Sequence, residues 1–152
     1  MFYKLQKYYL LLLFFSISIF ISGCYKCDRV MKDSPIVSNG KADVWINLMP
    51  GGEAKIYYSA EFELNVPKDF DESKMNVEEL IIQQNDFYLE TKFRYEFLSK
   101  DQNKIKFLVN SDGGIDPKNF QIEKNVKLKM KMKIDKHLIE STIDNLKIEK
   151  VF

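Results

Sequence analysis

The segment Lys127–Ile134 reads KLKMKMKI. Leu128, Met130, Met132 and Ile134 alternate there with Lys127, Lys129, Lys131 and Lys133. Successive side chains of a β-strand point to opposite faces, so a strand gathers the apolar groups on one side and the lysines on the other. A helix advances about 100° per residue and would scatter the lysines around its circumference. The segment, within Phe120–Asp135, is therefore read as a strand with one face buried and one face wet.

The same period recurs upstream. Ala42, Val44, Ile46 and Leu48 share a face opposed by Asp43, Trp45, Asn47 and Met49. Pro50-Gly51-Gly52 makes a turn, since proline pre-sets φ and glycine accepts positive φ. Ala54–Val66 returns with Ile56, Tyr58, Ala60, Phe62 and Leu64 inward, and its length predicts a bulge or bend. Pro67–Asn76 is a polar loop with room for one helical turn. Val77–Gln83 leans to strand on its β-branched content. Phe87–Phe97 reads as one long strand, with Phe87, Leu89, Thr91, Phe93, Tyr95 and Phe97 inward. A turn at Asp101–Asn103 leads to a strand with Ile105, Phe107 and Val109 inward, then to the loop Ser111–Asn119. His137–Leu146 fits either a short helix or a strand, and Leu146–Phe152 reads as a closing strand. The sum predicts an all-β fold: an antiparallel β-sandwich of immunoglobulin-like architecture with about seven strands. The Cys-Trp-Cys spacing of antibody domains is absent, so the expectation rests on sandwich architecture alone.

The amino-terminal end has a different grammar. Lys4 and Lys7 precede the apolar run Leu10–Ile21, which only Ser16 and Ser18 interrupt, and Ser22, Gly23 and Cys24 follow. A basic leader, a short apolar run and small residues read as a secretory signal peptide. The run is shorter than the ~20 residues of a spanning helix, although Leu10–Tyr25 approaches that length. Ile21-Ser22-Gly23-Cys24 resembles the lipobox of bacterial lipoproteins, with Ile21 in place of the usual leucine. The resemblance covers residues 1–24 only. It implies that Ile21, Ser22 and Gly23 are recognised by the signal peptidase and that Cys24 carries a diacylglycerol. Two acyl chains hold stably in a bilayer where one holds only marginally. The expected divisions are a cleaved signal peptide at 1–23, a lipidated cysteine and tether at 24–40, and one β-sandwich domain at 41–152. Within the tether, Ile36 and Val37 are placed to begin pairing with the domain. The expected location is the bacterial cell envelope, at the outer membrane or the outer face of the cytoplasmic membrane. A rule for some diderm bacteria, in which aspartate after the lipid cysteine retains the protein at the inner membrane, finds Tyr25 here.

Removal of the leader takes two lysines and no acids from a total of 23 basic and 22 acidic residues. The remainder is close to neutral, which argues against a nucleic-acid binder and against a polybasic membrane clamp. The two cysteines of the chain are Cys24 and Cys27. With Cys24 acylated, Cys27 has no partner in its own chain; it is either incidental to the tether or open to an intermolecular disulfide.

Signatures of catalysis are sparse. His137 is the single histidine, so a histidine zinc cluster is excluded, and no serine sits in a nucleophile elbow. Asp112 and Asp116 flank Gly113-Gly114-Ile115, but their spacing departs from an EF-hand loop and a turn is the better reading. No enzyme activity, cofactor or metal is expected. Two surfaces remain as candidates. Lys127, Lys129, Lys131 and Lys133 either meet an anionic partner or keep a sheet face or edge wet, with Glu61, Glu63, Glu90 and Glu96 as prospective counter-charges. Trp45 and Tyr57 lie on the nominal outer face, as a partner site or as a surface covered by the chain itself. The functional expectation is a lipid-anchored, non-enzymatic binding or structural accessory domain. It touches membrane lipid through Cys24 and an envelope protein or anionic glycan through its surface. An inhibitor or immunity lipoprotein that inserts Ser111–Asn119 into a toxin or lytic enzyme is the alternative, and an envelope enzyme the third. Oligomeric state is left open.

Overall fold

A computed structural model describes residues 36–152 of the chain. The expectations for Ile21, Ser22, Gly23, Cys24 and Cys27 lie outside the described residues. Among the described residues nine strands are present: β1 Ile36–Asn47, β2 Lys55–Asn65, β3 Met75–Gln84, β4 Phe87–Glu90, β5 Phe93–Asp101, β6 Lys104–Ser111, β7 Val126–Ile134, β8 His137–Leu146 and β9 Ile148–Val151. They form a five-stranded sheet, β5-β6-β2-β1-β9, and a four-stranded sheet, β4-β3-β7-β8. The strand pairings are antiparallel except β1–β9, which is parallel. One-turn 3-10 helices at Glu72–Lys74 and Pro117–Asn119 are capped by Asp71 and Asp116.

The inner faces meet in one apolar core. Val44, Ile46, Ile56, Tyr58, Phe62, Leu64, Ile105 and Phe107 come from the larger sheet; Leu80, Ile82, Leu128, Met130, Met132 and Ile134 come from the smaller. Phe62 and Phe107 stack at 5.5 Å. Alternation at period two produces this arrangement, because the strands that supply these residues keep charge off their inward faces.

The structure corrects the expectation of about seven strands. The stretch Phe87–Phe97 is two strands in different sheets. Thr91 is the pivot: its N–H and its hydroxyl both donate to the Leu80 carbonyl, at 2.8 and 3.1 Å, and Tyr58 donates its hydroxyl to Thr91 Oγ1 at 2.7 Å. This buried relay spans the two sheets. Burial pushes the Tyr58 phenol up to about 12, against a smaller opposite effect of Thr91. Alternation runs through the pivot unbroken, since both sheets need the same side of the chain facing inward. A second switch follows β8, where Asn145 takes φ +59° and the chain leaves one sheet to enter the other as β9. His137–Leu146 is a strand.

Three further details differ from expectation. The irregularity of the first hairpin lies in β1, between Val37 and Asn39, and not in β2. Strand β1 begins at Ile36, so 36–40 belong to the sandwich. Gly40 has a packing reason: a Cβ there would lie 3.1 Å from Ile143 on β8. Third, β7 lies between β3 and β8, so its lysines do not guard a sheet edge.

Candidate functional site

Trp45 and Tyr57 are directly paired across β1 and β2 on the outer face of the five-stranded sheet. Their rings stack at 6.0 Å and 20°, and both residues are half-buried. Offset stacking of this kind adds about 0.5–1.5 kcal/mol to area burial. The ring pair is neither core nor fully displayed. Each ring covers part of the other.

Beside the pair sits the loop that follows β6. Ile115 exchanges two backbone hydrogen bonds with Ile56, each 2.9 Å. Gly114 lies so close to β2 that a Cβ would fall 2.5 Å from Lys55 Cβ and 2.9 Å from the Tyr57 hydroxyl. The loop therefore needs glycine at 114 to seat, and at Gly113 to turn, with φ +95°. Its acids are locally engaged. Arg94 Nε lies 3.2 Å from Asp112 Oδ1. Asp116 accepts from the Lys118 N–H at 3.1 Å, which with the Lys118 ammonium holds its carboxyl below the usual aspartate value. Among the described residues, no group of three or more His, Cys, Asp or Glu is placed to hold a metal ion. A cleft of about 240 Å³ between Glu90–Lys92 and Asp112–Asp116, and another of about 250 Å³ lined by Ile122–Asn125, Lys147 and Ile148, fall below the ~300–1,000 Å³ of typical small-molecule pockets.

The lysine row lies on the opposite side of the sandwich. Lys127 pairs with Asp144 at 2.8 Å and Lys131 with Glu79 at 2.6 Å. The Glu79 hydrogen bond raises the Lys131 pKa, and the charges of Glu140 and Glu90 add to it. Lys129 stands between Ile81 and Thr142, and Lys133 faces Leu138; among the described residues neither has a carboxylate within ion-pair distance. Of the four glutamates expected to oppose the row, Glu90 shares its sheet, whereas Glu61, Glu63 and Glu96 belong to the other. There Glu63 bonds Lys104 at 2.7 Å, which together with Ser38 holds its carboxyl below the ordinary glutamate value. His137 is exposed at the start of β8.

Sequence reasoning thus located Trp45, Tyr57 and the lysines on outer faces. It missed Gly114 and Ile115 as the residues that pin the loop beside the aromatic pair. The double glycine was the available signal, read only as a turn. Comparison with protein-family models, with curated proteins and with solved structures returns no match for this chain.

Proposed function

We propose that this chain is an exported lipoprotein whose β-sandwich is a non-enzymatic binding module of the bacterial envelope. Cys24 carries the lipid, and Trp45, Tyr57 and the pinned loop Asp112–Asp116 form the partner-facing surface. The observation that carries the reading is the order of segments. A basic leader, an apolar run and Ile21-Ser22-Gly23-Cys24 stand directly before a sandwich whose first strand opens at Ile36. The direction of β1 adds support. Trp45 lies about 30 Å along the strand from Ile36 at ~3.3 Å per residue, so the aromatic pair sits toward the far end of β1 from its first residue. The two clefts described are small, about 240 and 250 Å³, which suits a macromolecular partner better than a small molecule.

An immunoglobulin-like arrangement is part of the same reading. The order β5-β6-β2-β1 follows D-E-B-A of that architecture, and β4-β3-β7-β8 follows C′-C-F-G. Strand β9 is then an addition beside the first strand.

The inhibitor reading keeps one observation of its own, the rigidity of the loop around Ile115. A loop held by two backbone hydrogen bonds and a glycine contact loses little entropy on entering an active site.

Metabolic labelling with an alkyne fatty acid tests the anchor. The parent chain takes up label and Cys24→Ala does not. Label retained by Cys24→Ala, or a mature amino terminus beyond Cys24, refutes the lipoprotein reading.

A further inference from the structure

We propose that β5 is a self-pairing edge through which two copies of this chain join their five-stranded sheets into one. The stretch Phe93–Phe97 reads Phe-Arg-Tyr-Glu-Phe. Run antiparallel against itself about Tyr95, it sets Phe93 opposite Phe97, Arg94 opposite Glu96 and Tyr95 opposite Tyr95. The pattern is self-complementary in charge and in apolar character, as a two-fold interface requires.

The backbone has the matching parity. Strand β5 is the outermost strand of its sheet and pairs with β6 alone among the described residues. Asp112 donates its N–H to the Lys92 carbonyl at 2.8 Å, and the β5–β6 register continues with Arg94 opposite Asn110 and Glu96 opposite Leu108. The hydrogen-bonded positions facing β6 are therefore Lys92, Arg94 and Glu96. Phe93, Tyr95 and Phe97 direct their N–H and C=O groups to the open edge. A pair centred on Tyr95 joins these outward groups to each other. It leaves Arg94 and Glu96 at the closely spaced, non-hydrogen-bonded positions, where opposite charges interact best. Sliding the pair one residue along each strand puts Arg94 against Arg94 or Glu96 against Glu96, and like charges directly opposed are destabilising.

The rest of the strand shows how the edge is limited. A bulge between Phe97 and Ser99 breaks the ladder, and Lys100 and Asp101 follow. Bulges and charges are the usual guards of an exposed edge. They leave the five self-complementary residues open. Phe97 is 40% exposed and gains cover from Phe93 of the second copy. Glu96 has no ion-pair partner among the described residues. Arg94 already meets Asp112, but a guanidinium has five donors and can serve both. The inference stands apart from the anchor reading, since it uses only the sandwich.

The test uses full-length chains in mild detergent, with Cys24→Ser and Cys27→Ser to remove both native thiols. Two differently tagged chains are prepared, one with Arg94→Cys and one with Glu96→Cys. Under mild oxidation the mixture gives a dimer band that carries both tags, because residues 94 and 96 face each other across the two-fold. Neither chain alone crosslinks comparably. Absence of the two-tag band, equal crosslinking of either chain with itself, or crosslinking only to a different protein overturns the proposal. Sedimentation gives an independent readout. Arg94→Glu and Glu96→Arg each weaken association by roughly tenfold, and the two changes together restore it, with far-UV circular dichroism unchanged throughout. If association is the same in the parent and both single variants, β5 is not the joint.

Discussion

Trp45 and Tyr57 lie on the outer face of the five-stranded sheet, whereas Lys129 and Lys131 lie on the outer face of the four-stranded one. Both pairs stand on strands interior to their sheets, yet their surroundings differ in kind. The aromatic pair is held by contact: ring on ring at 6.0 Å, with Gly114 packed against Tyr57. In the lysine row, Lys127 and Lys131 are held by counter-charge, through Asp144 and Glu79 on the flanking strands. Contact of this sort resists salt and depends on shape. Exposed ion pairs depend on ionic strength and contribute little to stability. The two faces should therefore respond oppositely to mutation, and the row that looks most distinctive in the sequence should matter least to the fold.

The contrast breaks most visibly at the loop. Gly114→Val forces a side chain into the space of Lys55 and Tyr57, and overpacking of this kind costs about 1–3 kcal/mol. Denaturant unfolding should show a lower midpoint with an unchanged slope; an unaltered midpoint would mean that the loop is not pinned. Trp45→Ala comes next. A fully buried aromatic costs about 3–5 kcal/mol on truncation, so the half-buried Trp45 should cost about 2 kcal/mol in the same measurement and leave the domain folded. Global unfolding would place Trp45 in the core.

Tyr58→Phe probes the relay that joins the faces from within. Loss of one buried hydrogen bond costs about 1 kcal/mol near neutral pH. The pH dependence has a definite sign. The native phenol titrates at about 12 rather than 10.0, so its contribution is intact below pH 10 and is lost as pH rises toward 12. Stability of the parent should thus fall more steeply over that window than stability of Tyr58→Phe. Parallel curves would remove Tyr58 from the alkaline transition. The smallest effect is expected at Lys129→Gln with Lys131→Gln, which should leave the unfolding midpoint at its parental value in low and high salt. A salt-dependent loss there would show that the row supports the sheet after all.

The inward and outward sides of nearly every strand were legible in the sequence, because alternation is a local property and the core needs it. The strand count was not. At Thr91 the chain changes sheets without changing the side it turns inward, and periodicity is blind to such a step; before β9 the inward parity slips by one residue between Ile143 and Leu146, which gave His137–Leu146 its helix-like spacing. The partners of the lysines were hidden for a related reason. Glu79 and Asp144 oppose them through register, which long-range pairing sets. Ile115 was read as part of a turn; its bridge to Ile56 joins residues far apart in the chain.

Strand β1 is bonded on one side to β2 along most of its length and on the other to the parallel β9 from Val44 to Asn47. Because β1 and β9 run the same way, Ile36 and Val151 lie at opposite ends of the sheet. A force drawn between those two points acts along the strands and across their ladders. Inter-strand hydrogen bonds then carry the load together, in shear, and cannot open one at a time like a zipper. Stretched from its amino-terminal segment, the sandwich should behave as a stiff link, with its yield point set by the β1 ladders and by how long tension is applied.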